Sequence, residues 1–539
     1  MKSWLSALAC CALLLSCLDT LWASAIHDAA ERGDLAGIKV LLRYDADLVN
    51  EVDEEDYTPL HVAVIDDRVP VVLYLLERGA DTSLVNADGF TPLQHAAFFQ
   101  KKASAYTIIR HTRKCDMHSA AMLGDAVLVR KLLDVDPRLV NEPDINGDTP
   151  LWQAAHFGFA DVAQVLIDKG ADVNAAGPAN HCPLRRAIAK GHTNVVKLLL
   201  DNGADVSGTG RFPTSLLDST LYPDEDKEMA QLLMAHGAEI SIFYATFHKD
   251  MARVRELLDA DPYLVNAAGP SSYTPLHIAA DRKALDIAKL LIARKAEPNV
   301  GYPETTPLSV ASRAGYIDMV TLLISKGAKV NFPIHEYSPL HWAARLEDTD
   351  VARYLIQWDA DVNALDAFDA TPLHGAASAE MAKLLIGKGA NADACDTSGY
   401  TPLLRAVQRK NEELAKLLIA EGANVNAVTD HRWTPLFFAV RDGSKQLAQS
   451  LIAGGADVNA ADADGSTPLF IAVKEGHKDL AELLISAGAK LDAKDKRGAT
   501  PTIWAMVKSD GEMLALLVPL SVEDLQPLVL QGPVSLGGP

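Results

Sequence analysis

The sequence predicts an all-α solenoid of short helix-turn-helix units with projecting β-hairpin loops. Three observations carry that prediction. A Thr-Pro-Leu phrase recurs at Thr58, Thr91, Thr149, Thr274, Thr371, Thr401, Thr434, Thr467 and Thr500, and the last three are spaced by 33 residues. A Gly-Ala-Asp-x-Asn phrase closes units, as from Gly170 to Asn174 and from Gly455 to Asn459. Among 539 residues, 49% are hydrophobic but only 6% aromatic, which suits many thin, closely packed helices better than one large core.

Residues 434–466 show how one unit is specified. Thr434 is placed to cap a helix with its hydroxyl, and Pro435 at the first helical position gives up only an N–H that would be unpaired anyway. Leu436, Ala439 and Val440 form an apolar face, and Leu447, Leu451 and Ile452 recur at helical spacing in a second helix. Gly454 and Gly455 stop that helix, because glycine tolerates a left-handed backbone. The stretch from Asp457 to Gly465 supplies the turn residues of a projecting hairpin. One such pair cannot bury its own apolar face, so stacked neighbours must complete the core.

The period and the Thr-Pro-Leu-His phrase, complete at Thr58–His61, Thr274–His277 and Thr371–His374, resemble the ankyrin repeat. The resemblance covers nearly all of the chain after its first residues. Units without the phrase keep the rest: Ile26 to Asn50, Met117 to Asn141, Ile242 to Asn266, and a diverged stretch from Pro213 to Ile240. Starts near 24, 58, 91, 115, 149, 182, 214, 240, 274, 306, 338, 371, 401, 434, 467 and 500 make about sixteen repeats. Two steps are short, 24 residues from 91 to 115 and 26 from 214 to 240. After each, Leu133-Asp134-Val135-Asp136-Pro137 or Leu258-Asp259-Ala260-Asp261-Pro262 replaces Gly-Ala-Asp, and the opening repeat has Asp45-Ala46-Asp47. These variants divide the array into blocks 26–113, 114–239 and 240–518, with kinks expected at the joins and a tail over 519–539.

Residues 1–25 read as a secretory signal peptide. Lys2 is the positive start, Leu5 to Leu15 the apolar run, and Ala23-Ser24-Ala25 a small-x-small cleavage site. Asp19 interrupts the run too soon for a spanning helix, and no later segment reaches the ~18 apolar residues that one needs. Leu14-Leu15-Ser16-Cys17 gives an alternative, a lipid anchor on Cys17. Cys115, Cys182 and Cys395 then remain, odd in number and far apart, which is not a disulfide framework. No Asn-x-Ser/Thr acceptor occurs, which favours a bacterial envelope. The expected location is therefore exported, periplasmic or secreted.

Function classes narrow by exclusion. Fifty Lys and Arg against seventy-one Asp and Glu give a net charge of −21, which excludes a general nucleic-acid binder. There is no nucleophile elbow, no phosphate-cradling Gly-x4-Gly-Lys and no dinucleotide fingerprint. His335-Glu336 with His341 has the wrong spacing for a zinc site, and Pro339 intervenes. No catalytic residue, metal or cofactor is expected. The resemblance assigns His61, His277, His341 and His374 to hydrogen bonds between neighbouring units, and His192 and His477 to inter-helix turns. Cys115 and Cys182 read as equivalent positions two repeats apart, beyond disulfide reach. Cys395 falls in a hairpin as an exposed thiol.

The resemblance also implies where partners dock: hairpin tips and exposed first-helix positions along a concave groove. The residue before each capping Thr or Ser belongs to that strip, and here it is Tyr57, Phe90, Tyr273, Tyr337, Tyr400 and Trp433. Phe98, Phe99 and Phe157 are first-helix contact positions. Tyr and Trp give large contact area at low entropic cost; the opposing reading packs these rings inside the array. Acidic runs at Asp53-Glu54-Glu55-Asp56 and Asp224-Glu225-Asp226 read as solvated tips. The expectation is a monomeric, non-catalytic scaffold binding one or more proteins. The alternative is an exported effector or toxin-like protein, for which the tail from Pro519 leaves little room.

Overall fold

The computed structural model describes residues 24–175, 177, 182–207, 215–221, 225–269, 272–300, 305–331 and 337–518. The signal-peptide reading of residues 1–23, Cys17 within it, and the tail 519–539 lie outside the described residues. Among those described, sixteen helix pairs follow one another, from the helical residues 24–32 with Leu35–Tyr44 to Pro501–Val507 with Gly511–Leu517. The chain packs as two units, Met1–Tyr244 and Ala245–Pro539. Within each, first helices pack on first helices and second on second, as Pro150–Phe157 on Pro183–Ala189 and Val69–Glu77 on Lys102–Thr112. Closely stacked short helices bury small residues: Ala63, Ala96, Ala120, Ala154 and Ala187 are all fully covered.

Each first helix begins as the sequence dictates. Thr434 accepts the Phe437 N–H, and Pro435 takes the first helical position. Where the phrase carries His, the cap closes in both directions: Thr58 accepts the His61 N–H, and Nδ1 of His61 accepts the Thr58 N–H at 3.2 Å. Leu436, Ala439 and Val440 are buried, as are Leu447 and Leu451, whereas Ile452 is half-exposed and Ala448 takes the buried place. Gly455 ends the second helix at φ +91°, a backbone that L residues with a Cβ resist.

The expected hairpins are turns rather than strand pairs. In the loop before Thr58, Asp53 Oδ1 accepts the N–H of Glu55 and of Tyr57, both at 2.9 Å. Asp53 N–H donates to the Tyr57 carbonyl, and Glu55 takes the Ala87 N–H of the next loop. One carboxylate thus organises the loop, and no β ladder is needed. Asp226, read as part of an acidic tip, instead caps the helix Lys227–Ala235.

The three variant units share one geometry. Their second helices, Leu35–Tyr44, Ala126–Val135 and Met251–Ala260, run ten residues and end on an extended Asp45, Asp136 or Asp261. A 3-10 turn follows in each, at Asp47–Asn50, Pro137–Asn141 and Pro262–Asn266. The aspartate holds that turn by its side chain, Asp136 Oδ1 taking the Arg138 N–H and Asp261 Oδ1 the Tyr263 N–H.

Two units depart further. In the diverged stretch the first helix is only a 3-10 turn, Leu216–Thr220, with Asp218 where other units carry His. The step from 371 to 401 is 30 residues, a third short step that the phrase spacing already contained. There the first helix shrinks to Pro372–Gly375. The cysteine alignment also needs correcting: Cys182 is itself the N-cap of Pro183–Ala189, whereas Cys115 lies one residue before the capping Asp116. Both are free thiols, as is exposed Cys395.

Candidate protein-binding surface

The residue before each capping Thr is fixed from two sides. Its N–H donates to the loop carboxylate or amide: Tyr57 to Asp53, Phe90 to Asn86 and Tyr400 to Asp396, each at 2.9 Å. Its carbonyl accepts a histidine from the preceding unit: His27 Nε2 on Tyr57 at 2.8 Å, His61 on Phe90 at 3.0 Å and His374 on Tyr400 at 3.0 Å. Because Nδ1 of His61 and His374 accepts a Thr N–H, the proton sits on Nε2 and the rings are neutral. Burial, the largest cause, holds His61 and His277 down at about 4. His192 and His477 bond back as well, to the carbonyls of His156 and Arg441. These histidines are structural hinges between units, and they hold the aromatic positions in register.

A second device joins the loop ends. Asn141 Oδ1 accepts the Asp172 N–H at 2.9 Å and its Nδ2 donates to the Gly170 carbonyl at 3.3 Å, so one side chain ties its repeat to the next. Asn174, Asn266, Asn299, Asn331, Asn363, Asn426 and Asn459 do the same. Ser83 and Ser207 stand in the corresponding place before the two shortest steps, and each turns back on its own Asp81 or Asp205.

In the first unit the expected strip forms one continuous group of rings. Tyr57 meets His95 edge-on at 5.6 Å, and His95 meets Phe99 at 4.7 Å. Phe90 stacks on Phe98 at 5.5 Å, and Phe98 touches Phe99 at 5.2 Å and Phe157 at 5.8 Å. Phe99 is the most open of these, 53% exposed, and the others are half-buried. Sequence reasoning missed Trp152, His156 and Arg186, which extend the group. Arg186 lies over the Trp152 ring at 4.9 Å and donates from Nε to His156 Nδ1 at 2.9 Å. Their signal was available: they occupy first-helix positions like that of Phe157.

The second unit spreads its rings and tops them with arginine. Tyr273 stacks on its own His277 at 5.1 Å, and Tyr337 packs on Trp342 at 5.0 Å. Tyr400 and Trp433 meet through Phe438, at 5.8 Å and 5.2 Å. Arg345 lies over Tyr337, Arg405 over Tyr400 at 4.1 Å, and Arg441 over Trp433 at 5.1 Å. None of these arginines was singled out from sequence, although three close or follow closely a Thr-Pro-Leu helix. Such stacking holds a guanidinium plane in one orientation while leaving its N–H edge open.

Among the described residues, no three His, Cys, Asp or Glu side chains converge as metal ligands would, and no helix is long and apolar enough to cross a membrane. Burial pushes the Cys115 thiol up to about 12, so it is no nucleophile at neutral pH.

Comparison with known proteins fits this geometry. Ankyrin repeat and SAM domain-containing protein 6 of Danio rerio is 30% identical over 160 residues, 28% of this chain and 22% of that protein. Alpha-latrocrustotoxin-Lt1a of Latrodectus tredecimguttatus is 31% identical over 157 residues, 29% of this chain and 9% of that one. This chain therefore spans less than a quarter of either relative. The crystal structure of the ankyrin repeat domain of Bcl-3 is 28% identical with a TM-score of 0.37, covering 40% of this chain and 98% of that one. The family model for ankyrin repeats (3 copies) matches residues 9–116, 117–209, 242–334, 301–366, 340–429, 373–462 and 436–525, leaving out the diverged stretch between 209 and 242. By those matches, which take in most of its length, the chain belongs to the ankyrin-repeat family.

Proposed function

We propose that this chain is an exported, non-catalytic scaffold that binds partner proteins along the aromatic strip from Tyr57 to Trp433. The observation that carries the reading is the double fixation of the strip. Backbone positions held by an aspartate or asparagine on one side and a histidine on the other present half-exposed rings at regular intervals. Rings already held in place lose little entropy when a partner covers them. Export is supported by the apolar run after Lys2 and by the position of Ile26, the first fully buried residue, so cleavage after Ala25 would leave the core intact. The chain acts as a monomer and has no nucleic-acid partner.

The test is partner capture from envelope extract and culture medium with the full chain. Wild type should recover at least one protein stoichiometrically, and Trp433→Ala with Tyr400→Ala, or Phe99→Ala alone, should lose part of that set. An unchanged set in every variant rejects the reading. Mass spectrometry of the mature chain should find Ile26 as its first residue; a lipid on Cys17 would move the chain to a membrane surface. The effector reading keeps one supporting observation, the likeness to a protein named as a toxin. It requires release from the producing cell.

A further inference from the structure

The repeat beginning at Thr371 is three residues short, since 371 to 401 is 30 residues while 338 to 371 and 401 to 434 are each 33. Its neighbours keep seven-residue first helices, Pro339–Arg345 and Pro402–Gln408. The last turn is therefore missing from the helix between them. Arg345 abuts the stub: a Cβ built on Gly375 would lie 3.6–3.7 Å from the Arg345 backbone and Cβ. Arg409 reaches it from the other side, donating from Nη1 to the Ala376 carbonyl at 3.4 Å. Arg405, one turn earlier, lies over Tyr400 and donates from Nη2 to Asp396 at 2.5 Å.

Three guanidiniums thus gather where one helical turn is absent. Their charges act on one another: burial first, then Arg405 and Arg345, lower the Arg409 pKa. Two carboxylates face them. Asp396 is committed to Arg405 and to the N–H groups of Ser398 and Tyr400. Glu347 is committed to the stub, taking the Ala377 N–H at 2.5 Å and the Ser378 hydroxyl. Arg345 bonds only the Tyr337 hydroxyl, at 3.2 Å, and neither it nor Arg409 is ion-paired to a described carboxylate. Both are exposed.

We propose that this notch binds a carboxylate, and that its occupant is an aspartate or glutamate in an acidic, extended segment of a partner protein. Deepening the protein-binding reading, this rests on it. Arg405 with Asp396 shows in place how this site engages a carboxylate, and the two unpaired forks beside it offer the same chemistry outward. The Tyr337 hydroxyl restrains Arg345, which lowers the entropic cost of a directed, charge-assisted hydrogen bond. A long polyanion is disfavoured, because the chain as a whole carries −21. A short acidic segment needs only the local field within a Debye length, about 8–10 Å.

The experiment is fluorescence anisotropy on the full chain with a fluorescein-labelled Glu-Gly repeat peptide at low and moderate salt. Wild type should bind saturably and lose affinity as salt rises. Arg345→Gln with Arg409→Gln should weaken binding about tenfold or more, and the matching lysine variants should retain part of it. Arg294→Gln, which removes an outer ion pair with Asp259, should change nothing. Circular dichroism checks that each variant is folded. Equal binding by the double glutamine variant, no binding by wild type, or tighter binding of a phosphoserine peptide overturns the assignment. If the peptide fails while Tyr400 and Trp433 variants still lose partners, only the notch is rejected. If the peptide binds while those variants keep every partner, the strip reading falls and the notch stands.

Discussion

His61 illustrates how much one side chain decides. It closes the cap of its own helix, links its unit to the next through the Phe90 carbonyl, and touches the ring of Tyr57. Its folded-state pKa, about 4, lies below the ordinary 6.5. The unfolded chain therefore binds more protons between those values, so this stabilisation is complete above pH 6.5 and is lost as pH falls toward 4. Each such buried ring contributes about 3 kcal/mol at most. Urea unfolding should show a falling midpoint from neutral pH to about pH 5, and His61→Gln should flatten that slope in the first unit. Asp218 has the opposite sign. Burial pushes it up to about 6 despite hydrogen bonds from Ser241 Oγ and the Ser215 N–H. The folded state there binds the extra proton, so stability falls as pH rises from 3.8 to about 6, and Asp218→Asn should remove that component from the same titration. The histidine links were legible because the phrase repeats. Asp218 was not, since one diverged unit offers no second example to compare.

At the scale of one helix pair, capping and length carry the consequences. Thr434→Ala removes the hydroxyl that accepts the Phe437 N–H and should cost about 1 kcal/mol, read as a lower urea midpoint. Inserting three alanines after Gly375 should restore the missing turn, cover the space between Arg345 and Arg409, and weaken acidic-peptide binding without loss of helical signal. Helix starts and stops were readable because Pro, Thr and Gly act locally on the backbone. The loops were read as hairpins, and their turns follow instead from one Asp or Asn taking two N–H groups. The arginine coverage of Tyr337, Tyr400 and Trp433 was not readable: it depends on side chains from separate elements meeting in space. The 30-residue step was plain arithmetic, yet its meaning needed the neighbouring helices.

Across the whole chain, stability is a sum of local and neighbour terms rather than one core. Native-state hydrogen exchange should then be graded. Protection should be lowest near Ser83, Ser207 and Pro372–Gly375, where a link or a turn is missing, and highest among the evenly linked repeats from 401 to 490. Uniform protection along the array would contradict this. The asparagine links also have a direction. Each Asn belongs to the earlier repeat, while its donor and second acceptor belong to the later one. A chain emerging from the ribosome would present the receiving side chain first and complete each link as the next Gly-Ala-Asp is made. Growth would then proceed one repeat at a time, and at Ser83 and Ser207 a finished segment could pause with no side chain waiting for a partner not yet synthesised.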